Sequence, residues 1–112
     1  MKKINIADVI EMGVRQNPKI KKKVLIDRGE VPRLMVFGQA TFQPGQTVAE
    51  HQHETMFEIF FIQSGRADFI IDGQKVELKT GDCLTIVPGE MHAQTNPYDE
   101  KVTWLYFGVA TE

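Results

Sequence analysis

The sequence predicts an all-β fold, a sandwich or barrel built as one domain. Two observations carry that expectation. From Arg33 onward, short runs rich in Val, Ile, Phe and Thr recur at regular spacing, and turn chemistry built on Gly, Pro, Asn and Asp separates them. A chain of 112 residues is also long enough for one hydrophobic core and too short for two. No internal repeat, linker or low-complexity segment interrupts the pattern.

Taken in order, the chain opens on Asn5–Asn17, where Ile6, Val9, Ile10 and Val14 fall at helical spacing. Asn5 or Asp8 is a candidate cap and Asn17-Pro18 a stop, so the expectation is a short helix or turn across one end of the domain. Lys19–Ile26 follows. Five basic residues lie between Arg15 and Lys23. They read as a solvated edge strand, with an anion patch as the alternative, because charged edges block unwanted strand pairing. Asp27–Pro32 is a turn. Residues 1–32 are therefore expected to pack as an N-terminal segment on a barrel formed by residues 33–112.

Leu34–Phe42 reads as a long strand closed by Pro44-Gly45, and Gly45–Glu50 as a loop leading into a His51–His53 strand. Glu58–Ile62 is the next strand. Ala67–Ile71 and Lys75–Leu78 flank Asp72-Gly73-Gln74, a hairpin signal. Cys83–Val87, Met91–Thr95 and Lys101–Ala110 complete the set. Several of these strands, such as Ile59-Phe60-Phe61-Ile62 and Val102–Phe107, are apolar on both faces. One face fills the interior, so the other needs cover, and a homodimer is the expectation.

The composition excludes several function classes. Thirteen basic against fifteen acidic residues leave a net charge of −2, which gives no electrostatic reason to expect nucleic acid or a membrane surface as partner. No apolar run approaches the length of a membrane-spanning helix, and the first residues lack a secretory apolar core. A single cysteine forms no internal disulfide. The expected location is the cytoplasm.

Chemistry concentrates in Gly45–Gly65. His51 and His53 are two residues apart, so in an extended strand their imidazoles share one face. Glu58 heads an apolar run, and a carboxylate there needs a partner because an unpaired buried charge is costly. A divalent metal held by the two imidazoles would be that partner. The only other histidine, His92, lies in Gly81–Asn96.

The spacing Gly45, His51, His53, Glu58, Gly65 resembles the first signature motif of the cupin superfamily. Gly81, Gly89, His92 and Asn96 resemble the second, with one departure: Val87 stands at the usual proline position and Pro88 follows it. The resemblance implies a cupin-type double-stranded β-helix, or jelly-roll, barrel, with His51, His53, Glu58 and His92 as ligands of one divalent metal per chain. Three imidazoles and a carboxylate suit Mn, Fe, Co, Ni or Zn, and Cu less well. The resemblance further implies a metal-dependent enzyme of dioxygenase or isomerase/lyase type acting on a small oxygenated molecule. A non-catalytic module binding a small ligand or a metal is the reading from a different class. No catalytic residue beyond the metal ligands is assigned.

Strand alternation nominates the lining of the cavity. If Glu58 points inward, so do Phe60 and Ile62; if His92 does, so do Gln94 and Asn96. Trp104 and Tyr106 are candidates to stack on a substrate, with core or dimer packing as the bland reading. Glu50 and Glu54 read as solvated loop carboxylates rather than outer partners of the histidines. Cys83, in an apolar strand, reads as a small buried hydrophobe rather than a redox thiol.

Overall fold

The computed structural model describes every residue, Met1–Glu112, as two packed antiparallel sheets in a jelly-roll-like sandwich. The strands are β1 (Met12–Val14), β2 (Asn17–Ile26), β3 (Leu34–Phe42), β4 (Thr47–His51), β5 (Met56–Ser64), β6 (Arg66–Ile71), β7 (Gln74–Lys79), β8 (Cys83–Ile86), β9 (His92–Thr95) and β10 (Val102–Ala110). One sheet has six strands in the order β1-β2-β3-β10-β5-β8, and the other four in the order β4-β9-β6-β7. The hairpin between β6 and β7 turns on Asp72 and Gly73, with φ of 47° and 82°, the type I′ geometry that matches strand twist.

Strand pairing arranges the inner face of the large sheet in transverse rows. Lys22, Ala40, Trp104 and Ile62 lie opposite one another across β2, β3, β10 and β5. The next row holds Val24, Gly38, Tyr106, Phe60 and Leu84, and the one beyond it Val36, Gly108, Glu58 and Ile86. Side chains in adjacent rows are two residues apart along each strand, so all three rows face the interior.

The rows divide the interior into an apolar end and a polar end. Trp104, which is 2 % exposed, packs its ring 4.5 Å from Phe42 and 5.3 Å from Phe69 of the facing sheet, and Phe60 sits 5.0 Å from Phe69. Such aromatic pairs each contribute about 0.5–1.5 kcal/mol beyond the area they bury. Asn96 is fully buried and serves this end structurally: its amide donates to the carbonyls of Phe42 and Glu100 at 3.1 and 2.9 Å and accepts from the Tyr98 N–H at 3.0 Å.

The short N-terminal helix or turn is a single 3-10 turn, Ile6–Asp8, capped by Asn5, whose side chain accepts from the Ala7 N–H. Four local expectations beyond it need correction. Residues 12–14 form a strand because Gly13 lets the backbone cross Pro18 closely; a Cβ there would lie 2.8 Å from the Pro18 Cα. Ile10, placed on the supposed helical face, is exposed. Asn17-Pro18 begins β2 instead of ending a helix. Nor is β2 an edge strand: β1 pairs along one side of it and β3 along the other, and Ile20 is fully buried.

His51 closes β4, and His53 lies beyond the strand in the loop that follows. Cys83 is exposed because β8 is the outer strand of its sheet and its Cα partner, Phe61, also points outward. The outer face of the large sheet carries Phe37, Ile59, Phe61, Leu105 and Phe107, paired in register across β3, β10 and β5. No helix of the structure is long and apolar enough to cross a membrane.

Candidate metal centre

Register brings the three histidines and the glutamate together. β4 pairs with β9 so that His51 lies opposite His92, with ring centroids 4.2 Å apart. The loop carrying His53 is held by its own carbonyl, which accepts from the Gly89 N–H at 2.8 Å. Its ring lies 5.2 Å from that of His51 and 5.5 Å from that of His92. His53 lies two residues past His51, just beyond the end of β4, and its ring meets the same point. Glu58 reaches in from β5 in the large sheet. One donor atom from each of the four residues lies within 4.8 Å of the others.

The donor set fits a divalent cation. Ligand distances of about 2.0–2.2 Å place neighbouring ligand atoms about 3 Å apart and opposite ones somewhat over 4 Å. Glu58 Oε1 lies 2.9 Å from His92 Nε2 and 3.2 Å from His53 Nε2.

The tautomers sharpen this. His92 Nδ1–H donates to the Glu90 carbonyl at 3.0 Å, and His51 Nδ1–H to the Ala49 carbonyl at 2.9 Å. A carbonyl oxygen only accepts, so each Nδ1 carries its ring's proton and each neutral ring presents a bare Nε2 lone pair. At His92 that lone pair faces a carboxylate oxygen 2.9 Å away. Two electron-rich atoms at that distance in a site where His92 is 1 % exposed require a proton or a metal between them.

The pKa directions follow from the same contacts. Burial lowers His51, outweighing the help of the Ala49 carbonyl. Burial also works against protonated His92, but the hydrogen bond to Glu58, the Glu90 carbonyl and the Glu58 charge together leave it raised.

A cavity of about 500 Å³ opens beside the centre. His51, His53, Glu58, Phe60, Gln94, Trp104 and Tyr106 line it; Ile62 is fully buried in the core and does not. Burial and then the Glu58 charge push the Tyr106 phenol up to about 12, so it stays an O–H donor. Its ring lies against Gly38, where a Cβ would sit 2.9 Å from the hydroxyl. Glu54 is bonded to the neighbouring Gln52 side chain, which accounts for its carboxylate without the histidines. Cys83 is not among the residues of the cavity wall.

Three cations also border the cavity, Arg15, Lys22 and Arg28. Sequence reasoning treated Arg15–Lys23 as a solvated face and missed Lys22. The signal was present in the alternation Ile20, Lys22, Val24: a core position at 20 carries 22 to the same face.

The family model described as Cupin domain matches residues 38–108. Among curated proteins, the chain is 36% identical over 70 residues to an oxalate-binding protein of Thermotoga maritima, spanning 62% of this chain and 58% of that one. It is 30% identical over 73 residues to the pectin degradation protein KdgF of Dickeya dadantii, spanning 65% of this chain and 63% of that one. Both matches thus take in less than two thirds of the relative's length. Of solved structures, a predicted oxalate decarboxylase from Thermotoga maritima superposes with a TM-score of 0.89 at 21% identity, covering 97% of this chain and 99% of that one. The polyketide cyclase RemF from Streptomyces resistomycificus superposes with a TM-score of 0.83 at 22% identity, covering 100% of this chain and 80% of that one. At such identities these two show the shared fold.

In metal-free protein, the imidazole resonances followed by NMR as pH falls are expected to show His92 protonating above the ordinary histidine range and His51 below it. Because ligand nitrogens must be deprotonated, metal is expected to weaken as pH drops through the His92 transition, and added zinc to suppress both titrations. His51 protonating before His92 would contradict the assigned contacts.

Proposed function

The chain belongs to the cupin family, and from that premise we propose that it is a divalent-metal-dependent enzyme acting on a small oxygenated organic molecule, of isomerase or lyase type. One observation carries the metal: the Nε2 lone pair of His92 and the Glu58 carboxylate oxygen converge at 2.9 Å with the ring proton already given to a backbone carbonyl. His51, His53, Glu58 and His92 would hold the ion, with Mn, Fe, Co, Ni and Zn as the fitting metals. A divalent ion held there supplies Lewis acidity to a substrate oxygen.

The chain's own residues supply the rest. Phe60 and Trp104 exclude water from one side of the cavity, and Tyr106 offers an O–H that stays protonated through neutral pH. A neutral phenol beside the ligand shell is suited to donate a hydrogen bond or a proton to a substrate oxygen on which charge develops, which favours isomerisation or elimination. The names of the two curated relatives concern oxygen-rich compounds, in keeping with this reading.

A second reading, capture of a small ligand without turnover, is favoured by the binding function in the name of the Thermotoga relative. The outer face around Phe37, Phe61 and Phe107 supports a homodimer as the assembled form, since Phe61 stays 42% exposed in one chain. The exposed, unpaired thiol of Cys83 suits a reducing compartment, in keeping with a cytoplasmic location.

Protein purified without chelators or nickel resin is expected to carry about one equivalent of divalent metal by elemental analysis, and His51→Ala/His53→Ala to carry none while keeping its β-sheet spectrum. Glu58→Gln is expected to weaken metal by more than the roughly ten- to hundredfold typical of losing an outer partner, and to abolish metal-dependent turnover of small hydroxy- and keto-compounds. Iron with oxygen uptake would move the chemistry to a dioxygenase; affinity with no turnover under any of the five metals would establish the binding module. No metal in the folded wild-type protein would sink the metal-dependent enzyme and leave a small-ligand binding barrel. In light scattering the wild type is expected at twice the chain mass and Phe61→Lys at the chain mass; a monomeric wild type would overturn the dimer.

A further inference from the structure

Two buried polar atoms of the cavity wall have no partner in the protein. They are the side-chain oxygen of Gln94 and the hydroxyl of Tyr106. Gln94 is 6% exposed, lies two residues along β9 from His92 and is paired by register with Val48 and Phe69. Tyr106 lies on the inner row next to that of Glu58. Leaving such a group unsatisfied is costly, so each calls for a partner held in the cavity. The phenol donates and the amide oxygen accepts, and a hydroxyl group on the ligand answers both requirements.

Charge supplies the second requirement. The cavity borders on Arg15, Lys22 and Arg28, and its one carboxylate, Glu58, is committed to the histidines. None of the three cationic side chains takes part in an ion pair within the protein. This local excess of positive charge stands in a chain whose net charge is −2. Lys22 is fixed on the inner face by its pairing with Ala40, in the row of Trp104, while Arg15 sits in the turn beside Asn17, at the start of the same strand and away from Lys22.

Register also gives the length. From Gly108, in the row of Glu58, to Trp104, in the row of Lys22, is about 13 Å along β10 at roughly 3.3 Å per residue. A two-carbon diacid reaches one end of that path only, whereas a six-carbon acid, about 8 Å long when extended, meets both ends once the long Lys22 side chain and the imidazoles reach in from their own rows. Building on the metal-centre reading above, we propose that the cavity takes a small hydroxylated carboxylic acid of sugar-acid size, its carboxylate at Lys22, its hydroxyl or carbonyl oxygens on Gln94 and Tyr106, and its other end presented to Glu58 and the histidines. Arg28, in the turn that precedes β3, stands toward the Glu58 row and is not required for the carboxylate.

The test is calorimetric titration of the zinc-loaded full chain with D-gluconate and D-glucuronate, against D-glucitol, which keeps the hydroxyls without the carboxylate, and hexanoate, which keeps the carboxylate without the hydroxyls. At least one sugar acid is expected to bind, with D-glucitol and hexanoate tenfold weaker or more. Lys22→Gln is expected to weaken the acid about tenfold at unchanged zinc content and Lys22→Arg to retain it, while Tyr106→Phe and Gln94→Leu each weaken it about five- to tenfold. Loss through zinc extraction by the acid would be independent of residue 22, so the Lys22 variants separate the two. The inference is overturned if neither acid binds the zinc-loaded protein, if D-glucitol binds as well as D-gluconate, or if Lys22→Gln leaves the affinity unchanged. Failure of the metal reading looks different: no zinc is held, yet acid binding persists and still depends on Lys22.

Discussion

A carboxylate placed against imidazole nitrogens that have no proton to offer is the constraint around which this molecule is arranged. Glu58 comes from the large sheet and His92 from the small one, and they meet at 2.9 Å across the interior. The backbone carbonyls of Glu90 and Ala49 take the Nδ1 protons of His92 and His51, which turns the other nitrogen of each ring inward as a bare donor. Desolvating a carboxylate costs several kcal/mol unless something positive compensates. A proton on His92 can do so in the metal-free protein, and its raised pKa records that tendency. A divalent ion compensates all four donors at once.

The packing that closes the rest of the interior lies apart from that centre. The aromatic cluster of Phe42, Phe60, Phe69 and Trp104 closes the other end of the interior, and Asn96 ties the ends of β3 and β9 to the final turn with three hydrogen bonds. Phe60 belongs to both regions: its ring packs on Phe69 and also borders the cavity. This separation explains how a site with a costly donor arrangement persists. The apolar end supplies packing, and the polar end is left free for chemistry.

Much of this was legible in the residues. The alternation in Glu58-Ile59-Phe60-Phe61-Ile62 assigned inside and outside correctly along β5, because a strand buried on one face has its register dictated by period two. Asp72-Gly73 announced its hairpin through a turn that needs positive φ at both positions. What escaped depended on tertiary contacts. Residues 6–14 have helical spacing, yet three of them pair with β2 because a neighbouring strand offers hydrogen bonds that a short isolated helix cannot match. Cys83 sits in an apolar run, but the run is the outer strand of its sheet, and the position of a strand within a sheet is not written in its own residues. Lys22 was read by its charge when its neighbours Ile20 and Val24 already placed it inward.

X-ray absorption at the zinc edge of the zinc-loaded protein tests the central claim most directly. The account predicts one zinc per chain with three imidazole nitrogens and at least one carboxylate oxygen at about 2.0–2.2 Å. Fewer than three imidazoles in the shell, or an ion bound without the Glu58 oxygen, would contradict it.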